Sequence, residues 1–205
     1  MIKLISKNQN SFLIWLVSKK ADLKPITVQE YKWNEKLSGS RSKEYIHSRG
    51  YVRQALSQVW NIAPLDIPLI SPPSLPPKLP RNLGYVSFSH CVDSLLIAWS
   101  TTNLGSDIER FNRPVNTLAL IDKVFSLEEK KSLEISDDDK FRRIFINNWV
   151  RKEAAIKWQK GSIFRDIKDW FYDEKSNQMV NNKKGYRVYS YFVEYKDWYI
   201  SLSSQ

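Results

Sequence analysis

Hydrophobic and polar positions along the chain predict strands and helices in a mixed order. The apolar run at 11–17 is typical of a first strand. Apolar residues at 40–60 recur at roughly helical spacing, and Arg49 and Arg53, four residues apart, share one face of this helix. In the proline-rich stretch 64–80 neither a helix nor a central strand can form, because proline lacks the backbone N–H. We interpret that stretch as a rigid extended connector.

A hairpin is predicted directly after this connector. Residues 84–90 and 94–100 have the composition of strands, and the short segment 91–93 is the turn between them. A third extended run follows at 103–109. The middle of the chain is therefore expected to contribute antiparallel strands.

Helix signals follow the third extended run. Ser126 and Glu129 have the spacing of a capping box, which places a helix start at Ser126. An acidic turn at 136–139 is predicted to open a long helix from about 138 to 160. Gly161 is predicted to end this helix.

The end of the chain is predicted to form another hairpin, with strands 186–195 and 198–203. Both halves thus run from a helix to a closing hairpin, a hint of internal duplication. We therefore predict an α+β fold of two similar subdomains, 1–102 and 103–205, within one compact unit. Each would pack an antiparallel sheet on a long helix, in a pseudo-twofold arrangement.

Composition narrows the class of protein. With 42% hydrophobic and 26% charged residues, the chain is expected to fold as a soluble globular protein. The single cysteine, Cys91, excludes an intramolecular disulfide. The N-terminus lacks the pattern of a secretory signal, so we expect a cytoplasmic protein. The net charge of +10 attracts polyanions, which include nucleic acid, anionic membranes, phosphate-rich cofactors and acidic proteins.

Two carboxylates lie two residues apart in the third extended run. In a strand, Asp107 and Glu109 project from one face, while Ile108 points toward the core. A divalent cation such as magnesium, calcium or manganese would relieve their repulsion. Gly105 permits close approach of another backbone or of a ligand. Taken alone, the pair is more typical of a solvated acidic strand face than of a metal site.

The predicted long helix supplies a third carboxylate. Trp149, Glu153 and Lys157 follow one another at intervals of four residues and so lie on one helical face. An ordinary surface pair between Glu153 and Lys157 would contribute only roughly a few tenths of a kcal/mol. That interpretation leaves the tryptophan on the same face unexplained.

Ser89 and His90 end the first strand of the predicted central hairpin. A hydrolytic triad could be drawn from them with Asp107. Adjacent strand residues point to opposite faces, however, which disfavours Ser89 and His90 as nucleophile and base. The chain also lacks a G-x-S-x-G nucleophile elbow, and its two histidines are too few to favour a histidine metal site.

Taken in order, these segments resemble the Sfp-type 4′-phosphopantetheinyl transferases. The family motifs S-H, G-x-D-x-E, F-S-x-x-E and W-x-x-K-E-A-x-x-K are matched by Ser89-His90, Gly105-x-Asp107-x-Glu109, Phe125-Ser126-x-x-Glu129 and Trp149-x-x-Lys152-Glu153-Ala154-x-x-Lys157. The helix with Arg49 and Arg53 is similar to the family's early R-x-x-x-R region. The resemblance covers roughly residues 40–165.

The resemblance implies transfer of the 4′-phosphopantetheinyl group from coenzyme A to a serine of an apo acyl or peptidyl carrier protein. The carrier could serve fatty-acid, polyketide or nonribosomal peptide synthesis. Magnesium, or manganese, would be held by Asp107, Glu109 and Glu153. The implied catalytic residues are Asp107, Glu153 as base for the serine, and Lys157, which steadies charge on the phosphate. The implied coenzyme A contacts are Arg49, Arg53, Ser89, His90, Lys152 and Lys157.

Two elements of the family pattern differ in this chain. The family's G-K-P before the S-H strand is replaced by SLP at 74–76, and its K-x-x-G-x-G after the helix by KWQKGS at 157–162. The contacts to the 3′-phosphate therefore stay open. The segment 111–124 fits either carrier contacts or a core-packing loop.

We expect a monomer that binds neither nucleic acid nor membrane. One alternative is a basic nucleic-acid-binding module without catalysis, since basic and aromatic residues are both plentiful. The other is a non-catalytic relative that only binds carriers.

Overall fold

A computed structural model gives the positions of most of the chain, namely residues 2–5, 12–114, 116–131 and 138–205. The chain divides into two units, Met1–Phe88 with Asp93–Thr102 and Ser89–Val92 with Asn103–Gln205. It is a mixed fold with helices and two antiparallel sheets, as predicted. The pseudo-twofold relation and the assignment of separate roles to the two halves stay predictions.

The first sheet has four strands in the order β1-β2-β4-β3. Its strands and the two helices that precede β3 are β1 (Ile2–Ile5), β2 (Leu13–Ser18), α1 (Val28–Asn34), α2 (Gly39–Trp60), β3 (Tyr85–His90) and β4 (Ser94–Ser100). The predicted helix and hairpin are confirmed with small shifts of their ends. The last two residues of β3, Ser89 and His90, belong to the second unit.

The second sheet has five strands in the order β5-β9-β8-β7-β6, each antiparallel to its neighbour. The elements of this unit are β5 (Leu104–Arg110), α3 (Thr117–Val124), α4 (Leu127–Lys131), α5 (Asp138–Gln159), α6 (Ile163–Asp166), β6 (Trp170–Asp173), β7 (Gln178–Asn181), β8 (Tyr186–Tyr195) and β9 (Trp198–Ser204). Helix α5 packs along β5 and β9. The aromatic side chains of Phe125, Phe145 and Trp170 are almost fully buried in the core of this unit.

The proline-rich stretch is more than an extended connector. It contains a 3₁₀ turn at Pro64–Asp66, and Ile70 pairs with Lys78 in an antiparallel bridge. Arg49 donates from Nε to the carbonyl of Ser71 at 3.1 Å. Internal hydrogen bonds therefore give this stretch a defined folded path.

The long helix ends where predicted, but by a different device. Lys160, not Gly161, adopts the left-handed conformation with φ +58°. Gly161 donates its N–H to the carbonyl of Ile156 at 2.9 Å. A Cβ on Gly161 would lie 2.5 Å from Oδ2 of Asp166, so the glycine serves close packing. At the other end of the helix, the predicted acidic turn at 136–139 lies partly outside the described residues.

Candidate active site

Strand β5 carries the acidic pair, and Gly105 brings helix α5 down onto this strand. A Cβ on Gly105 would lie 2.0 Å from the carbonyl oxygen of Ala154 and 2.3 Å from the amide nitrogen of Trp158. No side chain fits that space, so the helix backbone itself makes the close approach that the sequence predicted. Asp107 shares the helix-facing side of β5 with Gly105, because alternate strand residues point the same way.

Asp107 is the centre of a compact polar cluster. Its Oδ1 accepts hydrogen bonds from Lys157 Nζ at 2.6 Å and from Ser89 Oγ at 2.5 Å. Lys157 Nζ also donates to Ser89 Oγ at 2.7 Å and lies 3.6 Å from the carboxylate of Glu153. Four residues from β3, β5 and α5 are thus brought together, namely Ser89, Asp107, Glu153 and Lys157.

Electrostatics within this cluster favour a protonated Glu153 at neutral pH. Burial raises the pKa of Glu153 to about 8, and the neighbouring charge of Asp107 adds to the effect. Lys157 opposes this shift but does not cancel it. A carboxyl group with a pKa close to neutrality can either accept or release a proton under ordinary conditions.

Lys157 is held as a cation. Burial acts to lower its pKa, but the carboxylates of Asp107 and Glu153 outweigh burial and raise the pKa above the ordinary lysine value. A Ser–Lys hydrolase needs a neutral lysine that removes the proton from the serine. The contact between Lys157 and Ser89 therefore does not form such a dyad.

Glu109 is paired with a residue that sequence reasoning missed. Arg113, four residues on, forms an ion pair with Glu109 Oε2, and the Arg110 N–H donates to Oε1 at 3.2 Å. Burial still raises the pKa of Glu109, although Arg113 acts in the opposite direction. The spacing of four residues is a signal for such a pair in a helix, but Arg113 lies in a turn, where that rule does not apply.

The three carboxylates have the chemistry of a magnesium site but are paired with cations in this structure. Hard oxygen ligands suit magnesium. The three carboxyl groups also influence one another electrostatically, since the charges of Asp107 and Glu109 raise the pKa of Glu153. Within the described ranges, no three His, Cys, Asp or Glu side chains are arranged so that they could hold a metal ion. Coordination by all three carboxylates therefore stays a prediction, and it requires Lys157 and Arg113 to release them.

A small pocket borders Glu109. Its cavity volume is about 30 Å³, and its wall combines one acid and one base with apolar side chains. Its lining residues are Glu109, Arg113, Leu120, Phe145, Ile146 and Trp149. The tryptophan that shares a helical face with Glu153 is thus explained as part of the pocket wall and as a stacking partner of Phe145.

The predicted basic contacts of the early helix are engaged inside the first unit. Arg53 is 2% exposed and donates to both carboxylate oxygens of Glu30, at 2.9 and 3.0 Å. Arg49 lies against the ring of Tyr45, 4.1 Å from its centroid, and binds backbone carbonyls of the proline-rich stretch. The roles of Arg49 and Arg53 in cofactor binding stay predictions.

Lys152 connects two of the predicted motifs. Its ammonium group is fully buried and donates to Glu129 Oε2 at 2.7 Å and to the carbonyl of Val124 at 2.8 Å. The same Glu129 oxygen accepts the Ser126 N–H at 2.8 Å, and the Glu129 N–H donates to Ser126 Oγ, which confirms the capping box. Lys152 thereby ties the start of α4 to α5, and its predicted contact with the cofactor stays a prediction.

His90 does not share the orientation of Ser89. It follows Ser89 in β3, so its side chain projects from the opposite face of the strand. The structure therefore brings Ser89 to the acidic cluster by its own hydrogen bonds and leaves the predicted role of His90 untested.

The part of the chain that carries Asp107, Glu153 and Lys157 also matches a known family. Residues 103–203, just under half of the chain, match the model of the 4′-phosphopantetheinyl transferase superfamily. The chain is similar to 4′-phosphopantetheinyl transferase AcpT of Escherichia coli O157:H7, with 27% identity over 130 residues that cover 63% of this chain and 64% of that protein. It is also similar to 4′-phosphopantetheinyl transferase AcpT of Escherichia coli strain K12, with 29% identity over 96 residues that cover 46% of this chain and 48% of that protein. The chain therefore spans less than two thirds of the length of either relative. No helix in the described ranges combines the length and apolar character needed to cross a membrane.

Proposed function

We propose that this protein transfers the 4′-phosphopantetheinyl group from coenzyme A to a serine of an apo acyl or peptidyl carrier protein. The observation that carries the proposal is the convergence of Asp107 from β5 with Glu153 and Lys157 from α5. These residues lie inside the region that matches the superfamily model.

Transfer requires one bond to form and one to break at phosphorus. The serine oxygen of the carrier attacks the phosphorus that bears the pantetheine arm, and the bond to adenosine 3′,5′-bisphosphate breaks. Glu153 takes the proton of the serine hydroxyl, a role that requires its carboxylate form. Because burial and Asp107 raise its pKa to about 8, a bound cation would have to lower that pKa before Glu153 acts as the base. Lys157, which stays protonated, stabilises the negative charge on the phosphate oxygens during transfer.

Magnesium, or manganese, is the cation that the three carboxylates would hold. When bound, it would neutralise charge on the diphosphate of coenzyme A. Asp107 and Glu109 would exchange their partners Lys157 and Arg113 for this ion. The freed ammonium group of Lys157 would then be available to stabilise charge on the phosphates.

Binding surfaces for the two substrates follow from the same geometry. Ser89 and Lys157 are the coenzyme A contacts that the cluster supports best, since both side chains lie at Asp107. The pocket beside Glu109, with Leu120 and Trp149 in its wall, suits an apolar side chain of the carrier. The net charge of +10 favours both coenzyme A and an acidic carrier. A monomeric state and a cytoplasmic location stay predictions.

The test is to incubate the protein with coenzyme A, magnesium and several apo-carriers and to weigh each carrier by mass spectrometry. We expect a mass increase of one phosphopantetheinyl group that requires magnesium. Asp107→Ala and Glu153→Gln are expected to abolish this increase while circular dichroism shows an intact fold. If no carrier gains mass, the proposed activity is wrong; if both variants work at the wild-type rate, the site is misassigned.

A further inference from the structure

Strand β9 places a buried hydroxyl group directly beside the acidic cluster. Ser201 is the register partner of Asp107 in the pairing of β5 with β9. Partners in such a pair project from the same face with Cβ atoms about 4.5–5.5 Å apart. The side chain of Ser201 therefore lies on the helix-facing side of the sheet, next to the Asp107 carboxylate.

This hydroxyl group has no hydrogen-bond partner within the described part of the chain. Ser201 is 0% exposed, and its buried Oγ makes no hydrogen bond. Burying a hydroxyl without a hydrogen bond destabilises a folded protein relative to an alanine at the same position. A buried hydroxyl group without a hydrogen bond requires an explanation. One explanation is a hydrogen bond that forms only in a functional state of the protein.

Close packing alone does not explain the choice of serine. Ser203, two residues on, is also 0% exposed and also has an unpaired Oγ. Its register partner is Gly105, where helix α5 lies on the sheet, so a small side chain is all that this position needs. Ser201 differs from Ser203 on the β5 side, because its register partner there is a carboxylate and not a glycine.

We propose that Ser201 is a positioning residue for Asp107 when the site is loaded, an inference that rests on the proposed function. Oδ1 of Asp107 now accepts from Lys157 and Ser89. If Lys157 and Ser89 turned to a bound diphosphate, the Asp107 carboxylate would need a new donor to fix its orientation. The Ser201 hydroxyl is fully buried beside it and donates that hydrogen bond, as donors commonly do toward metal-binding carboxylates.

The test compares Ser201→Ala with the matched control Ser203→Ala, with each variant examined by three measurements. Urea unfolding in the absence of metal is expected to show both variants at least as stable as wild type, because each loses an unpaired hydroxyl. For Ser201→Ala, the affinity for Mn²⁺ measured by calorimetric titration and the rate of carrier loading are each expected to fall by about 10- to 100-fold. Both are expected to stay at wild-type values for Ser203→Ala.

The outcomes separate this inference from the proposed function. If wild-type protein loads a carrier and Ser201→Ala matches it in both Mn²⁺ affinity and rate, the positioning role is wrong while the activity stands. An equal loss in both alanine variants would also overturn the role, because it would point to packing. If the wild-type protein loads no carrier, the proposed function is wrong. If Ser201→Ala then also binds Mn²⁺ with wild-type affinity, the positioning role of Ser201 is wrong as well.

Discussion

Replacing Gly105 with alanine tests the way in which the strand and the helix build the site. The added Cβ would lie 2.0 Å from the Ala154 carbonyl oxygen, about 1.4 Å short of the 3.4 Å at which ordinary contact begins. The nearest atoms all belong to the backbone of α5, so no side chain can turn away to make room. Relief requires the helix to move away from β5 by about 1 Å, and the helix carries Glu153 and Lys157.

We expect Gly105→Ala to lose about 1–3 kcal/mol of unfolding free energy, the usual cost of overpacking. A displacement of about 1 Å at a catalytic group costs roughly 100-fold in rate. Carrier loading per folded molecule should fall by that factor, as measured by mass spectrometry at a temperature where urea titration shows the variant folded.

The matched control is Gly185→Ala, at a turn where φ is +69° and an added Cβ would meet no other atom within 4 Å. This variant should lose about 1–2 kcal/mol through backbone strain and keep its rate. A Gly105→Ala protein with the wild-type rate and stability would refute the reasoning, since it would show that the contact with α5 is not close.

Two further predictions concern the first unit. Glu30→Gln should cost about 3–5 kcal/mol of unfolding free energy in a urea titration, because it leaves the buried Arg53 guanidinium without its counter-charge. Glu44→Gln, in the partly exposed pair with Lys19, should cost less than about 1 kcal/mol in the same titration. Equal losses would contradict the conclusion that burial makes the Glu30–Arg53 pair the more important of the two. Burial lowers the pKa of His47 from its ordinary 6.5. Below pH 6.5 the unfolded chain therefore binds a proton at His47 more readily than the folded chain does. The stability present above pH 6.5 is consequently lost as the pH falls. His47→Gln should therefore flatten the fall in unfolding free energy between about pH 7.5 and pH 5, and an unchanged slope would exclude His47 as its source.

Long periodic segments and tight hairpins could be predicted from the sequence, while short elements could not. Apolar residues at roughly helical spacing predicted helix α2, and a two-residue turn predicted the final hairpin. The structure has both within a residue or two of the expected ends. Strands β6 and β7 have four residues each, too few for a pattern to emerge. Helix α1 was missed as well, although Thr27 and Glu30 have the capping-box spacing and do form the box.

Strand periodicity predicted that Asp107 and Glu109 share one face, and helix periodicity predicted the same for Glu153 and Lys157. That the two faces meet was implied only by the resemblance to the transferase family. Which basic residues are exposed could not be predicted, since exposure depends on partners that are distant in the sequence. Arg53 is paired with Glu30, 23 residues earlier, and Lys152 with Glu129, 23 residues earlier. Neither pairing leaves a local pattern, so both residues looked like free cations for a phosphate.

The ion pairs of Lys157 with Asp107 and of Arg113 with Glu109 have a consequence for preparing the protein. In small domains built around a structural metal, chelation unfolds the chain because metal binding supplies the folding energy. Here the strand carboxylates already have internal counterions, and the second unit has an aromatic core of its own. Protein stripped with a chelator should therefore stay folded, and the proposed loading activity should return when magnesium is added back, so loss of metal during purification would be reversible.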